Sequence, residues 1–112
     1  MPHYLVELYT PNTAWRALPS DLRQQFLDGI QTAMRGLSDL GIEVLTLGET
    51  DMNIDQASKH QFLGVWRFPD LQARDALLAG INASGWYDYF DHVNAASDDG
   101  DFARHLAALA LD

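Results

Sequence analysis

The stretch SGWYDYFDHVNA, Ser84 to Ala95, decides the fold of this chain. It sets Trp86, Tyr87, Tyr89 and Phe90 around two aspartates, a histidine and an asparagine. Helical spacing would bring Trp86, Phe90 and Val93 together. Its aromatic content, the Gly85 stop before it and the lack of a helix cap read instead as a strand. Alternation then puts Trp86, Asp88, Phe90, His92 and Asn94 on one face, with Tyr87, Tyr89, Asp91 and Val93 opposite.

Working outward, HYLVELY (His3 to Tyr9) is a first strand that stops at Pro11. A short turn is expected around Trp15. Ser20 reads as an N-cap with Asp21 in the first turn. Leu22, Phe26, Ile30, Ala33, Met34, Leu37 and Leu40 then share a helical face that Gly41 closes. IEVLTLGE (Ile42 to Glu49) is a second strand. Thr50 to Lys59 is polar and irregular, and HQFLGVWRF (His60 to Phe68) is a third strand closed by Pro69. Asp70 caps a second helix bearing Leu71, Leu77, Leu78 and Ile81. With Ser84 to Ala95 as the fourth strand, the order is β-α-β-β-α-β. Asp101 to Leu111 follows as a short Ala/Leu helix. This is the α+β, ferredoxin-like order: a four-stranded antiparallel sheet with two helices on one face, formed as one domain over residues 1–112.

The strands carry apolar residues on both faces, so the face away from the helices needs a cover. A second copy of the chain, sheet against sheet, supplies one and is the expected partner.

Composition narrows the function classes. Apolar residues make up 47% of the 112, enough for a core. There is no cysteine, which removes disulfides, thiolate nucleophiles and Cys-based zinc sites and fits a reducing, cytoplasmic setting. The formal net charge of −9 opposes nucleic acid and anionic membrane surfaces as partners. No apolar run reaches the roughly 18 residues that cross a bilayer, and no signal peptide is evident.

The first helix is expected to pack on Tyr4, Val6, Leu8, Leu63 and Val65. The opposite face, with Glu7, Tyr9, Phe62, Trp66, His92 and Asn94, would then line the interior between two subunits. It reads as an aromatic-lined pocket for a small apolar or aromatic ligand, with room left beside Gly64. Glu7 is the most informative residue. A carboxylate in an apolar strand must be paired, protonated or exposed; buried, it is a general acid or base. Arg67 and Arg16 are its candidate ion-pair partners. His92 is a second proton-transfer group and Asn94 a donor to a developing oxyanion. Tyr9, His60, Phe62, Trp66, Trp86 and Phe90 are ligand-contact candidates, although tryptophans so placed are more often core than ligand platforms.

No metal and no cofactor is expected. His3 and Glu7 lie about 13 Å apart along a strand, too far for shared coordination. A cross-strand set of His60, His92 and Glu7, or a haem with His60 or His92 as axial ligand, are the minor alternatives. No phosphate-binding glycine loop or nucleophile elbow occurs.

The segments YLVELYTP, FLGVWRFPD and GWYDYFDHVNA resemble an uncharacterised bacterial family of small dimeric α+β-barrel proteins, along nearly the whole chain. The resemblance implies the fold and the dimer. The wider superfamily includes cofactor-free monooxygenases, polyketide cyclases, lactone isomerases and haem-degrading enzymes, as well as members without known activity. The resulting expectation is a cofactor-independent isomerase, cyclase or monooxygenase for a small aromatic or polyketide-like molecule. A non-catalytic ligand-binding dimer, or a structural dimer with a filled barrel, is the alternative.

Overall fold

The computed structural model describes residues 1–112. Strand β1 (His3–Pro11) leads into a one-turn helix α1 (Thr13–Ala17) and the long helix α2 (Ser20–Met34). Strands β2 (Glu43–Glu49) and β3 (Phe62–Phe68) follow, then helix α3 (Leu71–Ala83). A helical turn α4 (Trp86–Tyr89) precedes strand β4 (Phe90–Asp98), and α5 (Phe102–Ala110) closes the chain. The sheet is fully antiparallel with order β2-β3-β1-β4, which is the ferredoxin-like arrangement. No helix is long and apolar enough to cross a membrane.

Several local expectations are corrected. The fourth strand begins at Phe90, not before Trp86. Gly85 adopts a left-handed backbone (φ 83°), which ends α3 and sends the chain into one more helical turn. Helical spacing therefore governs its first residues, and the Trp86 and Phe90 rings stack with centroids 4.0 Å apart. Pro19, not Ser20, occupies the cap position of α2, where no side chain makes a capping bond. That helix also stops at Met34, and a 3-10 turn over Ser38–Leu40 completes the run to Gly41, whose φ is 78°. Asp70 and Asp101 do cap their helices, accepting from the backbone N–H of Ala73 and Arg104.

The main correction concerns which sheet face meets the helices. Leu5, Trp66 and Phe68 are buried with Ala73 and Leu77 of α3, and Met34, Leu37, Leu78 and Ile81 pack around them. The face carrying Glu7 thus lies under the helices, while Tyr4, Val6, Leu8, Leu63 and Val65 lie on the outer face. Alternation sorts strand residues into two sets but does not say which set is covered. The bulky Trp66 and Phe68 decided it by filling the space beneath α3.

The chain closes little of its surface alone. Only 9 of 112 residues are buried, and every residue of β2 and α5 is exposed. The outer face is apolar, with Val93 at 53% exposure.

Candidate functional site

The register fixes the centre of the site. Glu7 lies in one row with Gly64 on β3 and Asn94 on β4; Tyr9 lies in the next row, between Phe62 and His92. Leu47 of edge strand β2 faces Gly64. Because Gly64 has no side chain, Glu7 and Trp66 reach across it. A Cβ there would stand 3.0 Å from Leu47 Cδ2, 3.1 Å from Glu7 Oε1 and 3.2 Å from Trp66 Nε1. The space the sequence suggested beside Gly64 is taken up by this meeting of carboxylate and indole.

Glu7 is only 4% exposed, yet both its oxygens are served. The Trp66 indole N–H donates to Oε1. His92 Nε2 lies 3.2 Å from Oε2 and 2.6 Å from Asn94 Oδ1. The Trp86 indole N–H donates to His92 Nδ1 at 3.0 Å. An accepting Nδ1 leaves the ring hydrogen on Nε2, so the imidazole donates toward Glu7 and Asn94. The His92 side chain is 2% exposed. Burial pushes its pKa down, but the hydrogen bond to Glu7, that to Asn94 and the Glu7 charge together raise it above the ordinary histidine value. Neither arginine partners Glu7; the carboxylate is paired, as one reading of the sequence required, but with a histidine.

Above this cluster, between the sheet and helices α2 and α3, lies a cavity of about 200 Å³. Glu7, Tyr9, Leu47 and Trp66 form its sheet wall. Ile30 and Met34 of α2, Leu37 just beyond its end, and Leu77 and Ile81 of α3 form the helix wall, with Trp86 beside them. No lysine or arginine lines it. The Tyr9 hydroxyl makes no hydrogen bond within the chain, and no buried side-chain N or O atom lacks a partner, so this hydroxyl opens onto accessible space. Burial, then the Glu7 charge, raises its pKa, so the phenol keeps its proton and remains a donor.

Glu7, Tyr9, Trp66 and Trp86 therefore meet at a cavity under the helices, not in the space between two subunits where the sequence reading put them. Phe62 and Phe90 stand behind Tyr9, with ring centroids 5.7 and 5.9 Å away. His92 stacks on Tyr9 from the β4 side (5.6 Å, 7° between planes) and bonds two residues of the cavity wall, Glu7 and Trp86. Asn94 is exposed at the strand edge, its Oδ1 turned to His92. His60 precedes β3 and bonds Thr10 Oγ1 at 3.1 Å, outside the cavity. The sequence reading missed the helix wall. Ile30, Ala33, Met34 and Leu37 stood out as one apolar face, but that face was assigned to sheet packing alone.

The chain belongs to a family of unknown function (DUF6616), whose model matches residues 2–111. No curated protein matches the sequence. Among solved structures it is similar to a chlorite dismutase from Candidatus Nitrospira defluvii (TM-score 0.70, 11% identity), covering 90% of this chain and 41% of that one. It is similar to a haem-binding protein from Thermus thermophilus (TM-score 0.63, 15% identity), covering 90% and 43%. A dimeric ferredoxin-like protein of unknown function from Thermobifida fusca matches over 88% of this chain and 92% of its own (TM-score 0.54, 13% identity). The chain thus spans less than half the length of the first two. At these identities the likeness shows the fold. The residues do not fit haem: both nitrogens of His92 are engaged inside the protein, Nδ1 of His60 is engaged by Thr10, and neither ring lines the cavity.

Proposed function

We infer that the chain is an acid–base enzyme that works without a cofactor on a small ring-bearing molecule, aromatic or polyketide-like, held between sheet and helices, and that it acts as a homodimer. The observation that carries this reading is a nearly inaccessible carboxylate, Glu7, in the wall of a cavity that is otherwise almost wholly apolar. A charge so placed is costly unless it is used, and its position is held from two sides by Trp66 and His92.

The chemistry follows from the donors. A ring ketone in the cavity would point its carbonyl oxygen at the Tyr9 hydroxyl and an adjacent C–H at Glu7. Glu7 takes the proton, and the C–H electron pair moves into the carbonyl. The resulting enolate oxygen accepts from Tyr9. Return of the same proton to another carbon completes an isomerisation with no further reactant, and attack by the enolate carbon on a second carbonyl would make it a cyclisation. His92 is a positioning residue here: its Nε2–H fixes the carboxylate and its charge state tunes the basicity of Glu7. Asn94 in turn holds the imidazole, and the oxyanion role expected of it passes to Tyr9.

The homodimer reading rests on the uncovered apolar outer face and on the dimeric neighbour of matching length. That face is then the subunit contact, and the ligand cavity lies within each protomer.

A non-catalytic binding role is the second reading, favoured by one observation: both Glu7 oxygens are already hydrogen-bonded within the protein. The test is α-proton exchange into deuterated water, followed by NMR on a panel of small cyclic ketones. The enzyme reading predicts exchange that Glu7→Gln slows by about 10²–10⁴-fold. Ring ketones that bind while exchanging no faster than in buffer would establish the binding reading instead.

A further inference from the structure

We propose that the cavity selects a single-ring molecule that carries a hydrogen-bond donor, an ammonium or a hydroxyl, beside any carbonyl at its polar end, and that it refuses carboxylates. This deepens the reading of the same cavity as a small-ligand site and rests on it.

Charge is the first argument. The Trp86 N–H occupies Nδ1 of His92, so the imidazole that faces Glu7 is neutral in this arrangement. The Glu7–His92 pair then carries one negative charge. No lysine or arginine on the cavity wall offsets it. A second anion entering there would leave water for a space that already holds a like charge, and would find no cation to meet it. A donor loses its hydration but regains a charge-assisted hydrogen bond to the carboxylate.

Size is the second. An apolar space of about 150 Å³ is enough for benzene, so about 200 Å³ accepts one ring and a short polar substituent.

Polarity is the third. The sheet wall offers Glu7 and the unpartnered Tyr9 hydroxyl, whereas α2 and α3 offer Ile30, Met34 and Ile81. A ligand that suits both walls is therefore two-ended. Its ring packs against the helices and its donor turns to the sheet.

Three probes of one shape separate the terms: benzylamine, benzyl alcohol and benzoate, titrated into the full-length protein at alkaline pH, above the His92 transition and below deprotonation of benzylamine, with tryptophan fluorescence and ligand-observed NMR as readouts. The expected order is benzylamine and benzyl alcohol bound, with benzoate at least about tenfold weaker than either. In Glu7→Gln, benzylamine should bind at least about tenfold more weakly, its charge partner gone, while the penalty on benzoate disappears. Should that variant fail to fold, the wild-type order alone decides. Benzoate binding as tightly as benzylamine in wild type overturns the selection but leaves a small-ligand cavity standing. Failure of all three rings to bind overturns the cavity reading and the selection together.

Discussion

The Trp86 indole N–H donates to His92 Nδ1 at 3.0 Å, and His92 Nε2 faces Glu7 Oε2 at 3.2 Å. One imidazole thus links a helical turn to the carboxylate of the central strand. The linkage works in one tautomer only. A proton added at Nδ1 removes the acceptor from Trp86 and leaves an imidazolium against Glu7.

The pH response follows. His92 faces Glu7, Tyr9, Tyr87, Trp86 and Asn94; of these, Glu7 raises its pKa by hydrogen bond and charge and Asn94 by hydrogen bond. Its ring should titrate above the ordinary value of 6.5, with the Trp86 indole N–H resonance shifting in the same transition. A raised folded-state value means that the ion pair contributes stability in full below 6.5 and loses it as pH rises through the folded value. NMR titration of the His92 ring, with Glu7→Gln moving the midpoint down, checks this. A midpoint below 6.5 in wild type contradicts it.

Gly64→Ala tests the close approach of strands. The new methyl would press on Leu47 and between Glu7 and Trp66, all within 3.2 Å of it. Destabilisation of about 1–3 kcal/mol is expected from chemical denaturation. The effect on ligand binding should exceed that of Gly48→Ala, where a Cβ meets nothing within 4 Å.

Trp66→Phe keeps most of the buried ring and removes the N–H from Glu7 Oε1. The carboxylate then stays buried with one donor fewer, at a cost of about 1–3 kcal/mol. Glu7→Gln in the Trp66→Phe background should recover part of that loss, because a neutral amide is less costly to leave underserved. A double-mutant cycle measures the coupling.

Gly85→Ala forces a side chain onto a backbone at φ 83°, which costs about 1–2 kcal/mol. Because Gly85 aims Trp86 at His92, the variant should also disturb the Trp86 indole resonance. Unchanged stability and an unchanged indole signal would mean that the turn is not held as described.

The outer sheet face carries the assembly prediction. Val93 is 53% exposed on a face that includes Val6 and Leu8. Val93→Asp should shift the protein from dimer to monomer in sedimentation velocity while leaving the Glu7 cavity, on the other side of the sheet, able to bind. A wild-type protein that sediments as one subunit at micromolar concentration would refute the dimer.

Much of this was legible beforehand. Strand boundaries at Pro11 and Pro69, the cap Asp70 and the element order came from local signals that depend on neighbours in sequence. Glu7 stood out because a charge inside an apolar alternation has few outcomes. Two features were not legible. Strand alternation cannot tell the covered face from the open one, since Leu5 and Val6 are equally apolar; packing under α3 made the choice. Four residues such as Trp86–Tyr89 are too short for periodicity to separate one helical turn from the start of a strand, and the left-handed Gly85 decided it. The partnership of Trp86 with His92 depends on that turn, so it too was hidden.

The central claim is that Glu7 is the group a ligand meets inside the cavity. The chain has only three glutamates, Glu7, Glu43 and Glu49, so carbon-13 labelling of glutamate carboxyls gives three signals, and Glu7→Gln identifies the one from the site. On titration with benzyl alcohol, the account predicts that the Glu7 carboxyl resonance moves with saturation while those of Glu43 and Glu49 stay fixed. Saturable binding of the probe with an unmoved Glu7 resonance would contradict it.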